Sequence, residues 1–191
     1  MLVALPSMAS AQTSGEATYG GSPREVALSI NVTASVSASC AFSVGGAPGG
    51  SYSVGNVEGA YTIDVLFSLR CNSPSRVGVV SDNGGLLAGG VPSVPAGYAR
   101  LAPYQITLSL AGDAGSTARE TCQSPTLTSS ASGCTFRGPA TSTRGLRLPG
   151  PSQDAPGSFL RISSPGYSEP ATLIASNSYA DRLTVTISPA T

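Results

Sequence analysis

VALSINVTASVSASCAFSV, residues 26–44, decides the fold class. Val26, Leu28, Ile30, Val32, Ala34, Val36, Ala38, Cys40, Phe42 and Val44 take every second position, with mostly Ser, Thr, Asn and Ala between them. A period of two puts one set of side chains on a single face of a β-strand, so this run is a strand with one buried side. Its length is unusual. Nineteen residues at about 3.3 Å each would extend about 60 Å, whereas strands of globular domains usually have about 3–10 residues. Two readings stay open. The strand bends at a bulge or changes sheet near residues 34–37; or residues 24–34 serve another molecule and residues 35–44 form the domain's own first strand.

The same period recurs outward from this run. Ile63, Val65, Phe67, Leu69 and Cys71 alternate, and Asn72-Ser73-Pro74-Ser75 makes a turn into Arg76–Val80. Asp82-Asn83-Gly84-Gly85 is a second turn, and residues 86–103, rich in Gly and Pro, read as a long connection. Alternation resumes at Tyr104, Ile106, Leu108 and Leu110; residues 159–162 and 171–174 look like short strands, and Leu183, Val185 and Ile187 close the chain. About seven strands with turns between them and no amphipathic helix predict an all-β sandwich. Residues 111–157, rich in Gly, Ser, Thr, Pro and Arg, lack the rhythm and read as a long surface insertion with room for a short hairpin.

Cys40 and Cys71 fall on the apolar phase of their runs, whereas Cys122 and Cys134 lie in the polar stretch, so we pair Cys40 with Cys71 and Cys122 with Cys134. In the loop-entropy account such bridges contribute about 3–4 and about 3 kcal/mol. Zinc is disfavoured because no Cys-x-x-Cys occurs. Disulfides imply an oxidising compartment. Residues 1–11, MLVALPSMASA, end in Ala9-Ser10-Ala11, the small-x-small pattern of a signal-peptidase site, although the positively charged start of a signal is missing. We expect a truncated signal peptide, cleavage before Gln12, and an exported chain without a membrane span.

Composition removes whole classes of activity. All ten basic residues are arginine, ten acidic residues balance them, and there is no histidine, lysine or tryptophan. No His-based triad, His-ligated metal or lysine Schiff base is possible, and zero net charge leaves nucleic acid without an electrostatic footprint. Asp64, Asp82, Asp113, Asp154 and Asp181 show no spacing that brings two together as a hydrolytic carboxylate pair. No cofactor and no enzymatic activity are expected. The Asp82–Gly85 stretch reads as a turn rather than a calcium loop, and the sequon Asn31-Val32-Thr33 lies inside the alternating run.

The N-terminal run leading to Cys40, the strand ending in Cys71, and the terminal Tyr179-x-Asp181-x-Leu183-x-Val185-x-Ile187 together resemble the spore coat protein U family, which includes subunits of archaic chaperone–usher pili. Ala99-Arg100-Leu101 leading into Tyr104-Gln105-Ile106 is a weaker match, and the resemblance covers residues 25–110 and 158–188. Three departures stand out: Asn177-Ser178 replaces the glycine that often precedes the terminal motif, the 111–157 insertion and its second cysteine pair exceed a typical member's needs, and the glycine-containing framework motifs after the first cysteine are hard to align. The resemblance implies an incomplete immunoglobulin-like antiparallel sandwich whose final strand is missing. It implies a subunit held by a periplasmic chaperone, polymerised at an outer-membrane usher, and completed by a neighbouring subunit's N-terminal strand. Val26, Leu28, Ile30, Val32 and Ala34 would then be the donor-strand side chains, and burying the four larger ones would supply about 6–12 kcal/mol before ordering costs. Residues 12–24 would be a flexible leader, residues 12–34 the extension, and residues 35–191 one sandwich.

The expected function is therefore a structural subunit of a surface fibre or coat, found in the periplasm during assembly and at the cell surface afterwards. Its rival is a monomeric exported carbohydrate- or surface-binding module that uses the 111–157 loop. Asp181 reads as a hydrogen-bonding group at a strand start, and Tyr179 as one that packs or hydrogen-bonds at a sheet corner.

Overall fold

The computed structural model describes residues 32–190. In chain order the strands are β1 Cys40–Phe42, β2 Tyr61–Phe67, β3 Leu69–Cys71, β4 Ser75–Ser81, β5 Leu86–Ala88, β6 Tyr98–Ala99, β7 Leu101–Ala102 and β8 Gln105–Ala111. They continue as β9 Thr117–Gln123, β10 Leu146–Leu148, β11 Ser152–Gln153, β12 Ser158–Ser164, β13 Thr172–Leu173, β14 Tyr179–Ala180 and β15 Leu183–Pro189. Short 3-10 turns lie at Asp113–Gly115 and Ser124–Leu127. The chain is all-β, and no described helix is long and apolar enough to cross a membrane.

Two antiparallel sheets carry most of the structure, one ordered β2-β12-β8-β9 and the other β10-β4-β15. A third, β1-β3-β11, continues them, with Cys40 opposite Cys71 in register. The inward phase of each long strand supplies one shared apolar core: Val65 and Phe67 from β2, Val77 and Val79 from β4, Ile106, Leu108 and Leu110 from β8, and Leu160 from β12. Leu69, Val77, Val79, Ile106 and Leu108 are fully buried. The period-two pattern read in residues 63–71, 76–80, 104–110 and 183–187 thus becomes the sandwich interior, with Ser68 dividing the first run into β2 and β3.

The decisive run behaves differently from its pattern. Only Cys40–Phe42 of it is a strand among the described residues; residues 32–39 have no regular structure, and Val36 and Val44 are 87% and 101% exposed. The expectation that residues 35–44 form the first strand is corrected to three residues. The physical reason is the length of the partner: β3 has three residues before Asn72 turns away. Asn72 extends the pairing slightly, its side chain donating to the Ser37 carbonyl at 2.9 Å and accepting from the Ser39 amide at 2.8 Å. Val26, Leu28 and Ile30, like the signal and leader residues 1–24, lie outside the described residues, whereas Val32 and Ala34 are described and exposed.

Residues 111–157 also correct their expectation. Instead of a surface excursion they contribute β9, paired with β8 over seven residues, together with β10 on β4 and β11 on β3. Leu127, Phe136 and Leu148 from this segment are fully buried. The Phe136 carbonyl accepts from the Val79 amide and the Gly138 amide donates to the Val79 carbonyl, both at 2.8 Å, so the segment pairs with β4 beyond the end of β10. It then crosses Gly78, where a Cβ would meet the Ala140 nitrogen at 2.8 Å and the Gly138 Cα at 2.9 Å; only glycine leaves room for that crossing. The long connection 86–103 likewise carries three short strands, of which β6 pairs with β13 in parallel.

Candidate functional site

The two sides of the sandwich are finished unequally. On the β9 and β10 side, the 111–157 segment fills the gap between the sheets with Leu127, Phe136 and Leu148, and the Cys122–Cys134 disulfide joins β9 to that segment. Both expected disulfide pairings are present, with Cα atoms 4.1 Å apart in Cys40–Cys71 and 5.8 Å apart in Cys122–Cys134. On the other side β1 lies close to β15, but no described strand hydrogen-bonds across the gap. β2 pairs only with β12, and β15 pairs only with β4, so each leaves one edge without a strand partner among the described residues.

Between these edges runs a cleft of about 580 Å³. Its walls are Tyr61, Ile63 and Val65 from β2 and Leu183 and Val185 from β15, and Leu160 and Ile162 of β12 form its floor. These are inward-phase side chains, yet Tyr61, Ile63, Ile162, Leu183, Val185 and Ile187 are only half-buried, while the equivalent row of β8 is sealed. Apolar side chains pointing inward and still reached by solvent mark a core that lacks one layer of covering.

One end of the cleft is polar and rigid. Asp181, just before β15, accepts from the Ser81 hydroxyl at 2.6 Å and the Tyr104 hydroxyl at 2.7 Å through one oxygen. Its other oxygen accepts from the amides of Asn83 at 3.1 Å and Arg182 at 2.8 Å. Ser81 passes the network on, accepting from the Gly84 amide at 2.7 Å. Burial and the bond to Asp181 raise the Tyr104 phenol well above the ordinary tyrosine range, and burial pushes Tyr61 up to about 12. Tyr179 donates to the Ile174 carbonyl at 2.6 Å, and partial burial raises its phenol too. Through these contacts Asp181 joins the start of β15 to Ser81 of β4, to Tyr104 just before β8 and to the Asn83 turn.

The remaining carboxylates singled out in the sequence have partners of their own, and the Asp82 amide donates to the Arg182 carbonyl at 3.0 Å. Asp64 takes a two-pronged bond from Arg161 at 2.6 and 2.7 Å, which holds its carboxyl below the ordinary range. Asp154 is held low by Ser43 and then by Arg70, the latter at 2.5 Å. Asp113 accepts from the Gln153 amide at 3.1 Å. No group of three or more metal-ligating side chains occurs among the described residues.

Of the terminal motif, Leu183 and Val185 line the cleft with Tyr179 and Asp181 at its end, and Ile187 packs against the core farther along β15. Sequence reasoning missed the opposite wall, Tyr61, Ile63 and Val65, as part of any site. Their alternation was visible; that their strand lies at an edge was not. Comparison with protein-family models, characterised proteins and solved structures finds no match to this chain.

Proposed function

We propose that the protein is a structural, polymerising subunit of an extracellular fibre or coat, assembled by strand donation through a periplasmic chaperone and an outer-membrane usher. The fold is then an immunoglobulin-like sandwich short of its last strand, and residues 24–34 of one copy complete the next. The observation that carries this reading is the cleft walled by Ile63, Val65, Leu183 and Val185, between edges of β2 and β15 that have no strand partner among the described residues. A strand laid there would hydrogen-bond to a free edge and complete the burial of the half-buried row Ile63, Ile162, Leu183 and Val185 with alternate side chains of its own. The segment upstream of Cys40 supplies that alternation in Val26, Leu28, Ile30, Val32 and Ala34. An unpaired edge beside an uncovered core is an aggregation hazard, which explains the need for a chaperone before assembly.

The test is deletion of residues 24–34 from the exported chain, produced with its chaperone and usher. The truncated subunit is expected to accumulate folded with the chaperone and to form no fibres. Fibre assembly at the wild-type level would overturn the proposal. So would a full-length monomer, stable alone, whose own residues 24–34 are protected from hydrogen exchange.

A further inference from the structure

We infer that residues 47–55 form a displaceable strap that divides one longer acceptor groove in two, so that an incoming strand must release the strap. The inference rests on the strand-acceptor reading. Residues 47–55, APGGSYSVG, contain no strand or helix. The chain is fastened on either side of them. The Gly46 carbonyl accepts from the Ser68 amide at 3.0 Å, and the Glu58 carbonyl accepts from the Tyr167 amide at 3.1 Å. Among the described residues the strap's hydrogen bonds are all internal: the Tyr52 hydroxyl to the Gly49 carbonyl at 3.1 Å and the Gly55 amide to the Ser53 hydroxyl at 3.4 Å. No hydrogen bond ties it to the cleft walls among the described residues.

Its position gives that weak attachment a consequence. Pro48 to Tyr52 and Val54 line the 580 Å³ cleft between β2 and β15. Tyr52 and Val54 also line a second cleft, of about 560 Å³, which reaches Leu173 and Asn177. Leu86 and Tyr179 belong to both as well. The two clefts therefore meet at the strap, and moving it aside joins them. Tyr52 is 51% exposed, so lifting it uncovers little that is sealed. Gly49 and Gly55 have open space where a Cβ would stand, and the nearest atoms to the Gly50 Cβ position belong to the Tyr52 ring, so at these three positions the strap is not packed tightly against another segment. A strap that closes the groove for most of the time reduces apparent strand affinity by the fraction of open molecules.

The probe is a synthetic peptide of residues 24–36, REVALSINVTASV, added to the full mature chain. Bound peptide is expected to speed chymotryptic cleavage after Tyr52. Tyr52→Ala, which removes a strap side chain that lines both clefts, is expected to raise the peptide association rate by up to about tenfold, the gain available if only about one molecule in ten is open. Tyr98→Ala, at a tyrosine 49% exposed outside both clefts, is expected to leave the rate unchanged. Peptide binding with neither cleavage after Tyr52 nor the Tyr52→Ala rate altered would overturn the strap while leaving the strand acceptor standing. No peptide binding to wild type or Tyr52→Ala would overturn both.

Discussion

Asp181 ties the start of the last long strand to parts of the chain 100 and 77 residues away, through Ser81 and Tyr104. The Tyr104 bond is a neutral hydroxyl donating to a carboxylate in a largely buried place, a class worth about 1.5–3 kcal/mol. Tyr104→Phe is expected to cost about that much at pH 8, measured as a shift of the urea midpoint. The same substitution changes the alkaline limb. The folded protein holds Tyr104 and Tyr61 neutral above the tyrosine's ordinary value of 10.0, so their stabilisation is full below pH 10 and falls as pH rises through the raised folded values, that of Tyr61 at about 12. Tyr104→Phe should flatten the decline between pH 10 and 12, shrinking its deficit against wild type; a deficit that grows there would disprove the assignment. The sequence showed Asp181 and Tyr179 as hydrogen-bonding groups from their place beside the final alternation. Their partners were not legible, because no periodicity links residue 181 to residues 81 and 104.

At the scale of elements, the long strands were legible wherever apolar side chains take every second position along the whole run, as in the sealed β8 and the half-buried β15. The 111–157 segment was not, for a specific reason. Its one long strand, β9, puts Ala118, Glu120 and Cys122 on the covered phase, which does not read as an apolar alternation, and the rest comes in pieces too short to show a period: β10 has three residues, β11 two, and Phe136 is a lone plug between backbone bonds to Val79. The N-terminal run failed in the opposite way, since its period is clear while the three-residue β3 leaves most of it without a partner. Phe136 separates the two ideas of the segment. On a tolerated surface loop, Phe136→Ala would change stability by less than about 0.5 kcal/mol; as a fully buried plug it is expected to cost about 3–5 kcal/mol in chemical denaturation.

At the scale of the molecule, the contrast between a sealed side and an open one decides how the chain should respond to a partner strand. Val185 faces the core from β15 yet is half-buried, so a charge placed there keeps access to water in the chain alone. Val185→Glu should therefore lower the stability of the isolated protein by less than about 2 kcal/mol, well under the 2–5 kcal/mol typical of emptying a sealed aliphatic site such as Leu108. With a strand in the cleft the same carboxylate would be enclosed against apolar neighbours without a counter-charge, which is costly. A peptide of residues 24–36 at a concentration about a hundred times its dissociation constant should stabilise the wild-type chain by about 2.7 kcal/mol. Val185→Glu should abolish that gain at the same concentration, read from urea midpoints with and without peptide. If Val185→Glu unfolds the isolated chain as a core substitution does, the cleft is sealed in solution and cannot receive a strand. If the gain survives intact, the peptide binds elsewhere, and the edge of β15 is not its acceptor.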